Sequence, residues 1–111
     1  MQSNYGRYIY ERLGKSILED EDGFAVYFCV NKACYIEEIY VRPEARKSGV
    51  AKKYADEISR QAKQNGMEVL IGTVKPSAKG STTSIKVLLA YGFELESCEH
   101  DFIFFKKSLE V

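Results

Sequence analysis

The sequence contains no tryptophan, one histidine, two prolines and three cysteines in 111 residues. A single histidine, His100, excludes a His-rich metal site. The three cysteines are too few and too unevenly spaced for a disulfide scaffold or a Cys/His zinc motif. No stretch approaches the roughly 18 apolar residues that a membrane-spanning helix needs, and the N-terminus lacks the apolar core of a signal peptide. We therefore expect a cytoplasmic protein without a metal ion.

An excess of charge of either sign is also missing, because 16 basic residues balance 16 acidic ones. Non-specific nucleic-acid binders usually carry a positive excess, since their affinity comes from neutralising phosphates. The basic residues within 42–53 still offer a local positive patch, so an RNA- or DNA-binding module is disfavoured rather than excluded. We expect neither nucleic acid nor membrane as a partner.

Apolar residues make up 45% of the chain, which is typical of a soluble globular protein. A chain of this length buries about two-thirds of its extended surface on folding. We expect one domain over residues 1–111. Hydrophobic periodicity predicts helices over residues 3–13, 49–65 and 83–91. Aromatic and β-branched runs predict strands over residues 16–21, 24–30, 33–41, 67–74, 93–97 and 102–107.

Two local signals set the ends of predicted elements. Asp22-Gly23 lies between two strand-like runs and predicts a hairpin turn there. Ser81 or Thr82 is predicted to cap the N-terminus of the third helix, because a side-chain oxygen at that position can accept from a free backbone N–H.

Cys29 and Cys34 flank a second predicted turn, Asn31-Lys32. In that register the two cysteines lie opposite each other in a non-hydrogen-bonded pair of antiparallel strands. A cross-strand disulfide is therefore geometrically feasible. The favoured alternative is a pair of reduced, half-buried thiols in a reducing compartment.

The stretch from Arg46 to Ala51 has the composition of an anion-binding turn at the start of a helix. The first N–H groups of a helix have no intrahelical partner, and the helix dipole adds a positive potential. Gly49 lets an anion approach the backbone closely, and the small Ala51 leaves the next turn unobstructed. Arg46 and Lys47 add positive charge. A pyrophosphate is the ligand that we predict for this turn.

The strand, arm, turn and helix over residues 35–58 resemble motif A of the GNAT superfamily of acyl-CoA-dependent N-acetyltransferases. The matching positions are Ile36, Glu37, Glu38, Ile39, Val41, Pro43, Arg46, Gly49 and Ala51. The run LLAYGFE, residues 88–94, is similar to the family's next signature, in which a helix closes on Gly-Phe before a strand. The resemblance covers about residues 5–107. It implies an α/β (α+β) fold with a mixed, mostly antiparallel sheet of about six strands, helices on both faces, and the order α-β-β-β-α-β-α-β-β.

The resemblance also implies acetyl-CoA as the co-substrate. In the family, the pantetheine arm pairs with backbone groups at a splayed cleft between two parallel strands, and the pyrophosphate binds the turn. The residues implied to bind the cofactor are Ile39, Val41, Arg46, Lys47, Ser48, Gly49, Val50, Ala51 and Ser81. Ser81 stands where the family commonly has asparagine.

The implied reaction is direct attack of a primary amine on the acyl thioester within a ternary complex. The amine must first lose a proton, because its free pKa lies near 10, and a carboxylate is the usual base. Glu37 and Glu38 are the candidates, and strand alternation predicts that only one of them faces a given side of the sheet. They could equally attract a cationic amine or be solvated edge charges. Tyr91 is the candidate to protonate the leaving thiolate, since Leu88 occupies the position where many members carry tyrosine.

The sequence leaves two functions open within this family. The first is an N-acetyltransferase for a small cationic amine or a protein or peptide amine. The alternative is a catalytically degenerate GNAT-like module that binds acyl-CoA or a protein partner without turnover, which Leu88 favours. The strand and helix that usually precede the first helix are missing, so we expect an acceptor side that is open or completed by a second copy. Tyr5, Tyr8 and Tyr10 offer aromatic contacts for such a homodimer.

Overall fold

The computed structural model describes residues 3–109. Its helices are α1 (Asn4–Leu13), α2 (Val50–Gln64) and α3 (Ser81–Tyr91). Its strands are β1 (Ser16–Asp20), β2 (Gly23–Val30), β3 (Ala33–Val41), β4 (Val69–Val74), β5 (Glu94–Glu99) and β6 (Phe102–Ser108). A single 3-10 turn, Pro43–Ala45, lies between β3 and α2. The predicted order of helices and strands is confirmed.

The strands form one sheet in the order β1-β2-β3-β4-β6-β5. Every neighbouring pair is antiparallel except β3 and β4, which run parallel. Helix α2 is the crossover between these two strands, as a parallel connection requires. Within the described residues, β1 and β5 are the edge strands. The mixed, mostly antiparallel sheet confirms the predicted fold class.

The core lies between α2 and one face of the sheet. The predicted apolar stripe of α2 is confirmed, because Tyr54, Ile58 and Ala62 are all buried. Ile58 and Leu70 of β4 have no exposed surface. Burying such side chains contributes about 1.5–3 kcal/mol each, so this layer holds α2 in a fixed position over β3 and β4.

Helix α3 packs on the same face through Leu88. A Cβ atom placed on Gly72 would lie 3.0 Å from the Leu88 side chain, so α3 approaches β4 closely at this glycine. Gly72 is the register partner of the buried Ile36, which places it on the face that α2 covers. Helix α1 packs along the edge strand β1.

The opposite face of the sheet is partly exposed and aromatic. Phe28 and Tyr35 stack across β2 and β3 with ring centroids 5.1 Å apart, and Phe24 and Tyr40 stack at 5.6 Å. Cross-strand aromatic pairs of this kind stabilise neighbouring strands by about 0.2–1 kcal/mol each. They strengthen the hairpin that carries the candidate site.

The turn between β1 and β2 differs by one residue from the prediction. The turn residues are Glu21 and Asp22, and Gly23 is the first residue of β2. The Asp20 carboxylate accepts from the Asp22 N–H at 2.9 Å, which stabilises this turn in the usual manner of aspartate. Gly23 is needed for a different reason, because a Cβ atom there would lie 1.9 Å from the Tyr40 carbonyl oxygen.

The N-terminus of α3 also differs from the prediction. Neither Ser81 nor Thr82 caps it; the N-cap is Gly80, at φ 84°, and Ser81 is the first helical residue. Glycine enters the left-handed region without a Cβ clash, so the chain can turn sharply into the helix. The Ser81 hydroxyl instead donates to the Pro76 carbonyl at 2.8 Å and holds the preceding loop.

We expect Gly23→Ala to lower the free energy of unfolding by about 2 kcal/mol or more, because β3 must shift to relieve a backbone clash. Denaturant unfolding followed by circular dichroism measures the loss. Gly66→Ala is the matched control: Gly66 has open space around it but φ 78°, so only the left-handed backbone is penalised, by about 1 kcal/mol. Equal losses in the two variants would contradict this account of Gly23.

Candidate active site

The parallel strands β3 and β4 are paired only over part of their length. Their register runs from Ala33–Val69 to Ile36–Gly72. Beyond that point each strand continues without pairing to the other, so the two splay apart at their C-terminal ends. The result is a cleft bordered by the last residues of β3 and β4.

Backbone groups of β3 line this cleft. The Val41 carbonyl accepts a hydrogen bond from Nε of Arg46 at 2.8 Å rather than from a strand. Ile39 lies two residues earlier, so its backbone groups point in the same direction as those of Val41. These are the two positions at which the family resemblance implies pairing with an extended ligand.

A bulge at Glu37 sets which side chains face each side of β3. Ile36 and Glu38 pair with successive residues of β2, which leaves Glu37 as an extra residue. Ile36 is buried under α2, and Ile39 pairs with the fully buried Ala25 on that same face. Glu37 and Glu38 therefore both lie on the opposite, partly exposed face. The prediction that only one of them faces a given side is wrong, because alternation does not hold across a bulge.

The two glutamates have different surroundings. Glu37 forms a salt bridge with Lys15 at 2.7 Å, and the side chains are 39% and 30% exposed, respectively. The Lys15 ammonium also lies 5.8 Å from the centroid of the Phe28 ring. Glu38 is exposed and makes no side-chain hydrogen bond or salt bridge within residues 3–109. The bulge thus presents one neutralised and one free carboxylate.

The N-terminus of α2 lies directly after the arm that follows β3. Gly49 is its N-cap at φ 84°, Lys47 also has a positive φ of 63°, and residues 46–49 form a turn. Successive N–H groups in a turn conformation can form a concave surface that suits an anion. The first backbone donation back into the helix is from Lys53 to the Gly49 carbonyl at 3.0 Å. In the described part of the chain, the N–H groups of residues 47–52 donate to no protein acceptor.

Arg46 connects this turn to the cleft. Besides its hydrogen bond to Val41, its guanidinium lies 5.8 Å from the centroid of the Tyr40 ring. The hydroxyl of Ser48 donates to the Ala45 carbonyl at 2.5 Å, which tightens the turn before the helix. The structure therefore brings the predicted residues from Ile39 to Ala51 together at one end of β3. Their roles in binding a cofactor remain predictions.

Comparison with known proteins identifies the family. A sequence model described as "Acetyltransferase (GNAT) family" matches residues 10–93, a range that includes the cleft, the bulge and the helix N-terminus. The chain belongs to the GNAT family. No curated protein matches the GNAT chain at the level of sequence.

Solved structures of GNAT proteins have the same fold. One is the PaiA N-acetyltransferase from Thermoplasma acidophilum in complex with coenzyme A (TM-score 0.71, 16% identity, 78% of this chain covered). A GNAT acetyltransferase from Staphylococcus aureus matches with a TM-score of 0.74 and 13% identity over 94% of this chain. The ribosomal-protein-S18-alanine N-acetyltransferase from Escherichia coli matches with a TM-score of 0.71 and 14% identity over 98% of this chain. The chain spans 53% of the length of the first of these proteins, and 73% and 78% of the other two.

Tyr91 of this GNAT chain lies away from the cleft. Its hydroxyl donates to Asp56 of α2 at 2.6 Å and lies 3.4 Å from the Ser59 hydroxyl. Burial, and then the hydrogen bond to Asp56, raise the pKa of Tyr91. The Lys107 ammonium lies 5.7 Å from the Tyr91 ring, and Lys107 pairs with Leu70, in the half of β4 that is still joined to β3. The structure thus does not bring Tyr91 together with the two glutamates, and its role as a proton donor remains an unsupported prediction.

Two other predicted features have simple local explanations. Leu88, at the usual tyrosine position, is partly buried and packs against Gly72 and the core. Ser81 lies at the first turn of α3, and its role as a cofactor ligand stays a prediction. No helix within residues 3–109 has both the length and the apolar character needed to cross a bilayer.

Asp20 is a residue of the site region that sequence reasoning missed. Its carboxylate accepts from Nζ of Lys53 at 2.8 Å and from the Tyr54 hydroxyl at 2.5 Å, and both partners lie in the first turns of α2. The hydrogen bonds with Lys53 and then Tyr54 hold the pKa of Asp20 well below its usual range. The β1–β2 hairpin is thereby tied to the N-terminus of α2. No local pattern could reveal this contact, because its partners lie 33 and 34 residues away.

We expect Asp20→Asn to lower the free energy of unfolding by about 1 kcal/mol at pH 7. The folded-state pKa of Asp20 lies below its unfolded value, so this contribution is present above about pH 4 and is lost as the pH falls through the folded-state pKa. The difference between the unfolding free energies of the two proteins should therefore narrow steadily as the pH falls from 4 to 2. Glu21→Gln removes a charge from the neighbouring exposed turn residue and serves as the control. A difference that stays constant with pH would contradict the ionic character of this contact.

Proposed function

We propose that this GNAT chain transfers an acetyl group from acetyl-CoA to a primary amine by direct attack within a ternary complex. The observation that carries the proposal is the position of the free N–H groups of residues 47–52 beside the cleft between β3 and β4. An anion-binding turn next to unpaired strand groups suits a ligand with a diphosphate and an extended amide-containing arm. Coenzyme A has both.

In this proposal each end of the cofactor has a defined protein partner. The amides of residues 47–51 would hold the pyrophosphate, each charge-assisted hydrogen bond contributing about 1.5–3 kcal/mol. The pantetheine arm would pair with the backbone of Ile39 and Val41. Pairing at Val41 displaces the Arg46 guanidinium from that carbonyl, and the freed cation can then contact the pyrophosphate. The acetyl thioester supplies the activated acyl group.

We assign the base to Glu38 rather than Glu37. Both carboxylates face the same side of the sheet, but Glu37 is already neutralised by Lys15. Glu38 is exposed and unpaired within residues 3–109, so it can take a proton from the incoming ammonium directly or through water. Tyr91 could donate a proton only after leaving Asp56, and the thiolate of CoA can depart without protonation.

The acceptor in this proposal is a cationic amine. A small cationic amine and a protein or peptide amine both fit the free Glu38 carboxylate on an open sheet face. The partners proposed here are acetyl-CoA and that amine, without nucleic acid or membrane. A homodimer that completes the acceptor side, and a cytoplasmic location, remain predictions from the sequence.

The alternative function is a degenerate GNAT module that binds acyl-CoA or a protein partner without turnover. Two observations favour it: Leu88, at the usual tyrosine position, packs against the core, and the Tyr91 hydroxyl is held by Asp56. This alternative retains cofactor binding but predicts no acetyl transfer. A measurement of acetyl transfer therefore distinguishes the two functions, whereas a measurement of cofactor binding does not.

We expect Ala51→Glu to weaken acetyl-CoA binding by about tenfold or more, because it places a carboxylate beside the pyrophosphate. An acidic residue in the first turn of a helix is compatible with the helix dipole, so the fold should be retained. Titration calorimetry measures the affinity, and thermal unfolding checks stability. Gln64→Glu adds the same charge at the other end of α2, about 20 Å away, and should bind acetyl-CoA like the parent.

Failure of the well-folded parent to bind acetyl-CoA would overturn both the enzyme and the acyl-CoA-binding alternative. Equal binding by the parent and Ala51→Glu would instead place the cofactor elsewhere. Only a failure of the parent to bind acetyl-CoA would indicate that the fold serves protein contacts alone.

We expect Glu38→Gln to lower kcat by about 10²-fold or more, since the amine then lacks a positioned base. Glu37→Gln should lower kcat by less than about tenfold, because it removes only an exposed ion pair. Release of the CoA thiol with spermidine, lysine and a short peptide as acceptors measures both, at saturating acetyl-CoA. A larger loss of kcat in Glu37→Gln than in Glu38→Gln would assign the base to Glu37. No turnover by the parent protein with any of these acceptors would favour the degenerate module.

A further inference from the structure

Cys29 and Cys34 are register partners on β2 and β3, one pair away from the turn that joins these strands. A two-residue turn is closed by a hydrogen-bonded pair, so the next pair, which holds both cysteines, is non-hydrogen-bonded. Directly opposite residues in antiparallel strands have Cα atoms about 4.5–5.5 Å apart, within the 4.4–6.8 Å that a disulfide spans. Both cysteines are free thiols in the structure. The backbone can therefore accept a disulfide without moving the strands apart.

The two thiols differ in access. Cys29 is exposed, whereas Cys34 is 1% exposed and belongs to the core. Both line a cavity of about 260 Å³ between the hairpin, the end of α1 and the end of α2, together with Tyr10, Tyr27 and Gln61. A small molecule in this cavity can reach the exposed Sγ atom of Cys29, and the buried Sγ atom of Cys34 lines the same cavity.

We propose that Cys29 and Cys34 form a dithiol site that exchanges reversibly with low-molecular-weight disulfides such as oxidised glutathione. The site is separate from the proposed acyltransferase site, since Cys34 lies seven residues before Val41, about 23 Å along β3. It does not depend on the chain being an active enzyme.

The exchange proceeds in two balanced steps. The Cys29 thiolate attacks one sulfur of oxidised glutathione, forming a mixed disulfide and releasing one glutathione thiolate. Cys34 then loses its proton and attacks the Sγ atom of Cys29, which expels the second glutathione thiolate. The two protein thiols are oxidised to one disulfide, and oxidised glutathione is reduced to two thiols.

The order of attack follows from the surroundings of each sulfur. Burial, and then the hydrogen bond and charge of Cys29, raise the pKa of Cys34 to about 12, so Cys34 is a poor first nucleophile. Exposure makes Cys29 the attacking thiol. Once the mixed disulfide has formed, the fixed proximity of Cys34 compensates for its low thiolate fraction, because the second step is intramolecular.

Cys98 provides an internal control. It lies on β5, three strands away from β3 in the sheet. At about 4.8 Å between neighbouring strands it is too distant to bridge either member of the pair. Its exposed thiol reports reaction with the reagent without ring closure.

The test is to incubate the native full chain with oxidised glutathione, quench with acid, alkylate the remaining thiols in denaturant and measure the intact mass. The expected product has lost two hydrogen atoms and carries alkyl groups or glutathione only on Cys98, whereas the untreated protein is alkylated at all three cysteines. Trypsin cleaves after Lys32, between the two cysteines. A non-reduced digest should therefore contain peptides 16–32 and 33–46 joined by a disulfide.

Cys29→Ser should abolish the internal disulfide, and Cys98→Ser should retain it fully. Cys29 is exposed, so its replacement leaves the core unchanged, and circular dichroism checks that each protein is folded. A stable glutathione adduct on Cys29 with Cys34 still free would overturn the proposal. Three thiols still open to alkylation after incubation, or a covalent dimer on a non-reducing gel, would overturn it equally.

Discussion

The parallel pairing of β3 with β4 ends at Ile36–Gly72, and the candidate site depends on where it ends. Up to that point the strands are bonded and covered by α2 and α3. After it, a bulge in β3 and the arm toward α2 carry the chain away from β4. The open backbone groups, the two glutamates and the helix N-terminus all follow within sixteen residues of chain after Ile36. The end of this strand pairing thus leaves unpaired backbone groups on β3 and places beside them the turn that we predict to bind an anion.

The helices, strands and their order could be predicted because their signals are local. The stripe of α2 repeats at helical spacing, and the strands are rich in aromatic and β-branched residues. The turn that we predict to bind an anion could be located for the same reason, since Gly49 and the basic residues around it are adjacent in sequence. Motif resemblance then linked these local features to a family that the chain does belong to.

The remaining features depend on contacts between residues distant in sequence. The bulge at Glu37 is a mismatch in register with β2, and no periodicity of β3 alone reveals it. Asp20 meets its partners on α2 only after the sheet has formed. Gly23 resembles a turn glycine by its neighbours, but its role is set by the Tyr40 carbonyl on another strand. Tyr91 lies three residues from the family's tyrosine position in sequence, whereas its hydroxyl is held by Asp56 on α2.

The edge strand β5 has a consequence for how copies of this protein can associate. An edge strand offers unpaired backbone groups to any other strand, and a flat apolar edge promotes aggregation. Along β5, Glu96 is paired with Lys106, whereas Glu94 and Glu99 form no salt bridge within residues 3–109. A second β5 brought alongside would add two more unpaired carboxylates at close range, and like charges on neighbouring strands are destabilising. Sheet extension from one molecule to the next is therefore discouraged at this edge, and contacts between copies are directed to other surfaces.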